Sequence, residues 1–220
     1  MKLKEIKFSD EEKALIEKIV NKKGFCGDSW SSDDEVKILS ERIKEHYHEQ
    51  QNTVCPYCRM KFSTEHGRYW DIEHIMPRSL HPTFMFEPKN LCMSCVPCNT
   101  AKKAKKVSNS TAKKKYPNKS ELFFIFHPHF DEYEKHINVI EEGLFYMPTK
   151  STKDFKSKGS KTIEICGLNR FFQFAGFGDC DVDMHAKIDR LNKYAKMETD
   201  PELKRDLIKQ ICAITIKALS

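Results

Sequence analysis

No stretch of this 220-residue chain approaches the ~20 consecutive apolar residues of a membrane-spanning helix. The amino terminus, MKLKEIKFSDEEK, also lacks the apolar core of a secretory signal. The expectation is a cytoplasmic protein without a membrane partner. No internal repeat is present, which excludes solenoids and propellers. Acidic residues are missing from one place: Asn99 to Ser120 holds eight lysines and no Asp or Glu. The formal charge of the whole chain is only +6, so the rest is slightly negative and the positive field is local. Cysteine, by contrast, is plentiful. Nine cysteines, an odd number in a protein expected to be cytoplasmic, argue against a disulfide framework and direct attention to metal ligation.

Residue patterning divides the chain into an N-terminal helical region (1–52), a central segment (53–120) and a C-terminal extension (121–220). Ser9 with Glu12 makes a capping-box pattern for a helix over 10–22, and Ser32 with Glu35 makes another for a helix reaching about Gln51. Val36, Leu39, Ile43 and Tyr47 give that second helix an apolar stripe. Past Lys106 the lysine-rich residues to Ser120 read as solvated and mobile. LFFIFHPHFD reads as a strand or buried segment ending in a turn. His136 to Tyr146 reads as a hairpin closing at Glu142-Gly143, and TKSTKDFKSKGSK as a second lysine-rich loop. A short helix over 161–166 ends at Gly167. Two amphipathic helices close the chain, striped by Met184, Ile188, Leu191 and Ala195 and by Leu203, Leu207, Ile211 and Ile214, with Asp200-Pro201 opening the second.

CPYC (Cys55, Cys58) and CVPC (Cys95, Cys98) are two C-x-x-C units. Each aims two sulfurs at one point, and together they complete the tetrahedral thiolate shell that Zn²⁺ accepts. Four thiolates leave no open position, so such a zinc ion is structural. Cys92 forms CMSC with Cys95 and leaves an alternative second pair open. Cys95 with Cys98 is preferred because its proline matches CPYC. Between the pairs lies RYWDIEHIMPRS. Its aromatic and β-branched content predicts a strand ending near Pro77, with Asp71 and Glu73 on one face. NTAKKAKK after Cys98 predicts a helix with Asn99 in its first turn.

CPYC, DIEHIMPRS, Asn90-Leu91 and CVPCNTAK, in that order, resemble the HNH (ββα-metal) nuclease family over about Thr53 to Lys106. The resemblance implies an α+β, mainly helical protein: a zinc-bound ββα core with helical N- and C-terminal additions. It implies His74 as the general base and Glu73 as the ligand of one catalytic Mg²⁺ or Mn²⁺, with Asp71 as an alternative or additional ligand. It further implies Asn99 as the second ligand, brought to Glu73 by the zinc site, and Asn90 as a brace for the loop carrying the base. Neutral imidazole can take a proton from water near pH 7, and a hard cation held by oxygen ligands can stabilise a phosphorane. Arg78, Lys102, Lys103, Lys105 and Lys106 are the candidate phosphate contacts.

The expected function is metal-dependent hydrolysis of nucleic-acid phosphodiesters, with DNA as the expected substrate. A zinc-ribbon binding or assembly subunit with vestigial nuclease residues is the alternative. His127, His129 and Asp131 of FHPHFD could assist a metal or phosphate, although a turn beside the core explains them equally. The HP-x-x-D, hairpin and GLNR succession is loosely similar to HNH nucleases paired with an ATPase in anti-phage systems of Septu and retron type. That similarity implies an ATPase subunit as a protein partner.

Overall fold

The computed structural model describes residues 2–61, 69–140, 145–149, 157–170 and 182–218. Helix α1 (Asp10–Val20) begins at the expected capping box: Ser9 Oγ accepts from Glu12 N (3.1 Å) while Glu12 accepts from Ser9 N (2.7 Å). After a short helix α2 (Ser29–Ser32), helix α3 (Asp34–Gln51) is capped by Asp33 rather than Ser32. Asp33 is extended and its carboxylate accepts from Glu35 N at 3.0 Å, whereas the Ser32 hydroxyl turns back to the Asp28 carbonyl. Lys22, just past α1, holds both Asp33 and Glu35 and so ties the two helices together. Val36, Leu39, Ile43 and Tyr47 are all buried, as their spacing predicts.

Strands β1 (Trp70–His74) and β2 (Leu91–Cys95) pair antiparallel, with Asp71 opposite Ser94 and Glu73 opposite Cys92. Strand β2 passes directly into helix α4 (Val96–Lys102), whose second residue is a proline, favourable where the N–H needs no helical partner. This β-β-α unit is the centre of an α+β fold. Helix α3 is fastened to it by Gln51, whose side-chain amide donates to Met93 O and accepts from Met93 N, both at 2.8 Å.

The segment after α4 differs from its reading as a free tail. Val107, Ser108 and Tyr116 are buried, and between them Asn109, Thr111 and the lysines 113–115 stand in solvent. LFFIF forms no strand beyond an isolated bridge between Ser108 and Phe123. Its backbone groups bond instead to a loop and a helix side chain: Phe124 N to Val107 O, and Phe126 N to Thr162 Oγ1. FHPHFD is a buried turn: Asp131 accepts from His127 N and Lys158 Nζ and also binds Ser120. Strands β3 (Ile137–Ile140) and β4 (Phe145–Pro148) form the expected hairpin, whose closing residues 142–143 lie outside the described residues. So does most of the second lysine-rich loop. Helix α5 (Lys158–Ile165) starts earlier than predicted, and Gly167 follows it at φ +56°. A Cβ on Gly159 would sit 2.0 Å from His136 O, so only glycine lets α5 approach the hairpin this closely.

Residues Met1–Leu168 and Asn169–Ser220 separate into two compact units. The second contains helices α6 (Val182–Met197) and α7 (Pro201–Ala218), packed on each other. Asp200 caps α7 by accepting from Glu202 N and Leu203 N. Ala195 is buried, whereas Leu203, in the first turn, is exposed rather than part of the packed stripe. The Met184 side chain lies outside the described residues.

Candidate active site and metal centre

The first C-x-x-C unit sits in a tight reversal. Asn52, Thr53 and Arg59 all adopt positive φ, and Cys55 exchanges backbone hydrogen bonds with Arg59 and Met60. The second unit spans the end of β2 and the first turn of α4. Together they bring the sulfurs of Cys55, Cys58, Cys95 and Cys98 within 4.8 Å of one another, all four buried. Cys58 and Cys95 sulfurs are 3.7 Å apart, against the roughly 3.8 Å edge of a tetrahedron built on 2.3 Å zinc–sulfur bonds. The Cys95 N–H also donates to Cys55 Sγ at 3.5 Å. The residues fit a metal ion such as zinc. Cys92 is buried outside this cluster, because residues three apart on a strand point to opposite faces. Tyr133 and Tyr146 hold the first unit through the Tyr57 and Cys58 carbonyls at 2.8 and 2.6 Å.

Helix α4 lies along the face of β1 that carries both acids. Asn99 Nδ2 donates to Asp71 Oδ2 at 2.7 Å. One turn later Lys102 Nζ lies 2.6 Å from Glu73 Oε1 and donates to His74 O at 2.9 Å. Asn99 is thus placed against Asp71 rather than Glu73. Glu73 is buried, and Tyr57 donates to the same carboxylate oxygen at 3.0 Å, so its charge is already matched. Asp71 and Asn99 are only partly buried and face a cleft. Trp30, Ser40 and Lys44 from the N-terminal helices complete its walls, together with Arg78.

His74 Nε2 lies 3.1 Å from Met85 O. A carbonyl can only accept, so Nε2 carries the proton and the neutral ring keeps its lone pair on Nδ1. Burial, with Arg78 and Lys102 adding to it, pushes the imidazole pKa down to about 3. The ring is therefore neutral near pH 7. Trp30 packs edge-to-face against it at 4.5 Å. Asn90, fully buried, donates to Met76 O and Phe84 O and accepts from Met76 N at 2.7 Å, spanning the loop after β1.

The candidate phosphate contacts separate. Lys103, Lys105 and Lys106 are exposed and Arg78 lines the cleft, its Nε donating to Gly27 O. Lys102 is a correction: only 1% of its side chain is accessible, and its amine is committed to Glu73 and the His74 carbonyl. Helical periodicity causes this, since three residues beyond Asn99 the helix again faces β1. His127 and His129 are core residues, bonded to Tyr116 and to Leu91 O. Trp30, Lys44 and Tyr57 were missed as site residues; a tryptophan within the GFCGDSW turn was the available signal for the first.

The buried pair leads to a stability prediction. Lys102→Met leaves the Glu73 carboxylate buried without its cation, an expected cost of about 3–5 kcal/mol. Adding Glu73→Gln should recover most of that loss, because no unpaired charge then remains. Urea unfolding of the two single variants and the double variant measures the coupling. Additive losses would contradict it.

Residues 55–105 match the family described as HNH endonuclease. Septu protein PtuB of Bacillus thuringiensis is 29% identical over 122 residues, which are 56% of this chain and 39% of that protein. The match therefore spans well under half of the relative's length. The ββα unit, its four-cysteine cluster and both similarities agree: residues 55–105 carry an HNH endonuclease domain, within a chain related to a Septu protein.

Proposed function

We propose that the chain hydrolyses nucleic-acid phosphodiesters, DNA in particular, with one divalent cation held by Asp71 and Asn99 and with His74 as general base. The observation that carries this reading is the 2.7 Å approach of Asn99 to Asp71 at the cleft, on the domain that also holds the neutral His74. An acid and an amide supply two oxygen ligands and leave other positions to water and phosphate, as Mg²⁺ and Mn²⁺ require. When bound, the cation supplies charge neutralisation at the phosphorane and the departing oxygen. The imidazole accepts the proton of the attacking water, and its bond to Met85 O fixes which nitrogen does so. Asn90 keeps the loop bearing Met85 in register with β1. Glu73 serves the interior as the counter-charge of Lys102. Zinc, on Cys55, Cys58, Cys95 and Cys98, is structural in this reading.

Plasmid cleavage with Mg²⁺ or Mn²⁺, against an EDTA control, tests it. Asp71→Ala is expected to lower cleavage at least about a hundredfold and to weaken Mn²⁺ binding read by paramagnetic resonance. Native cleavage by Asp71→Ala, with loss in the charge-balanced Glu73→Gln/Lys102→Met variant, would transfer the cation to Glu73. Nucleic-acid binding without cleavage under any divalent cation would favour a zinc-bound binding or assembly subunit. The similarity to a Septu protein supports a place in a multi-protein anti-phage system with an ATPase subunit as partner. Co-purification with such a subunit tests that part.

A further inference from the structure

We infer that Lys44, on helix α3 outside the ββα core, binds a backbone phosphate of the nucleic-acid strand together with Arg78. The inference rests on the proposed nuclease reading and adds to it a substrate contact from the N-terminal region. Ser40, Lys44 and His48 are spaced four residues apart and form one stripe of α3. The orientation of that stripe is fixed at its C-terminal end. His48 packs edge-to-face on Trp70 of β1 at 5.2 Å, and Gln51 holds the backbone of β2. One turn back along this anchored face, Lys44 reaches the cleft that Asp71, Asn99 and Arg78 line from the other side.

The charges in the cleft then determine the ligand. Lys44 is exposed, and neither it nor Arg78 forms a salt bridge among the described residues. Among the described residues, Asp71 is the one carboxylate lining the cleft. A divalent cation there would meet two further positive side chains, an arrangement that is repulsive until an anion enters. A phosphodiester supplies that anion and would place its negative oxygens between the cation site and the two side chains. The lysine run that begins at the end of α4, in contrast, has its first member, Lys102, buried against Glu73.

The test is fluorescence anisotropy of a labelled DNA strand and duplex with the full zinc-loaded chain, without added Mg²⁺ or Mn²⁺, across a salt series. Each phosphate contact contributes about 0.9 to the salt slope, so Lys44→Gln should lower the slope by about one. Its affinity loss between roughly 50 and 200 mM salt should then be about 3.5-fold smaller than that of the native chain. Lys44→Arg should keep the native slope, and Lys13→Gln, on the exposed face of α1, should leave it unchanged. Zinc content and circular dichroism verify that each variant is folded. An unchanged slope in Lys44→Gln, with native cleavage, overturns this inference and leaves the nuclease reading standing. A native chain that neither binds nor cleaves DNA overturns both.

Discussion

Cys95→Ser is expected to abolish zinc binding at the four-sulfur cluster and to leave the ββα core unfolded. Cys95 has three roles at once. It is a member of the four-sulfur cluster, the last residue of β2 and the residue that precedes the first turn of α4. A metal ion held by the four sulfurs would join the turn at Cys55 to the β2–α4 junction, two pieces of chain about forty residues apart. Binding of a structural zinc ion contributes about 10–16 kcal/mol in small zinc domains, as much as or more than the roughly 5–15 kcal/mol net stability of a whole domain. Cys95→Ser should therefore bind no zinc, lose its cooperative thermal transition and lose cleavage as a consequence. Cys92→Ser is the matched control: it removes a buried thiol from the same strand outside the cluster and should keep one zinc per chain. Zinc analysis and thermal melting of the two variants check the prediction. Zinc retained by Cys95→Ser and lost by Cys92→Ser would reassign the second ligand pair.

On the proposed mechanism, His74→Ala should lower cleavage by roughly 10²–10⁴-fold while leaving DNA binding within a few-fold of native, because the imidazole there supplies proton transfer rather than charge. The truncation also removes the donor to Met85 O and the ring against which Trp30 packs. An unsatisfied buried carbonyl costs about 1–3 kcal/mol, so the variant is expected to melt at a lower temperature but to remain folded at 25 °C. Cleavage and binding must be measured on the same preparation. Rescue by added imidazole would show that only the proton acceptor is missing. Cleavage equal to native would exclude His74 as the base.

The positions of the metal-ligating thiols were legible in the sequence because C-x-x-C is a local geometry, complete within four residues. Helix α1 was legible from its capping box and α3 from its apolar stripe, both short-range signals, although Asp33 rather than Ser32 caps α3. The alternation of β1 placed Asp71 and Glu73 on one face, but could not tell which of them α4 would offer to Asn99. That depends on how far along the strand the helix lies, a tertiary quantity. In the structure Asn99 lies at Asp71 and Lys102 at Glu73, so a residue read as a surface cation became half of a buried ion pair. Lys44 was unreadable for the same reason. Nothing local distinguishes a solvated lysine from one at the mouth of a cleft. LFFIF left strand and buried segment open because a run of large apolar residues signals burial but not conformation, and the structure shows the buried segment.

Gln51 carries a consequence of a different kind. A two-stranded ribbon has two open edges, and an open edge invites pairing with a strand from another molecule. By giving and taking one hydrogen bond each at Met93, the Gln51 amide imitates the backbone of a third strand and stoppers that edge. The ββα core is thus not a portable cassette. Cut out at residues 53–106, it would leave its counterfeit strand behind on α3 and present a bare, adhesive margin. Any transplant of the ββα unit to another scaffold has to carry the helix that ends in Gln51.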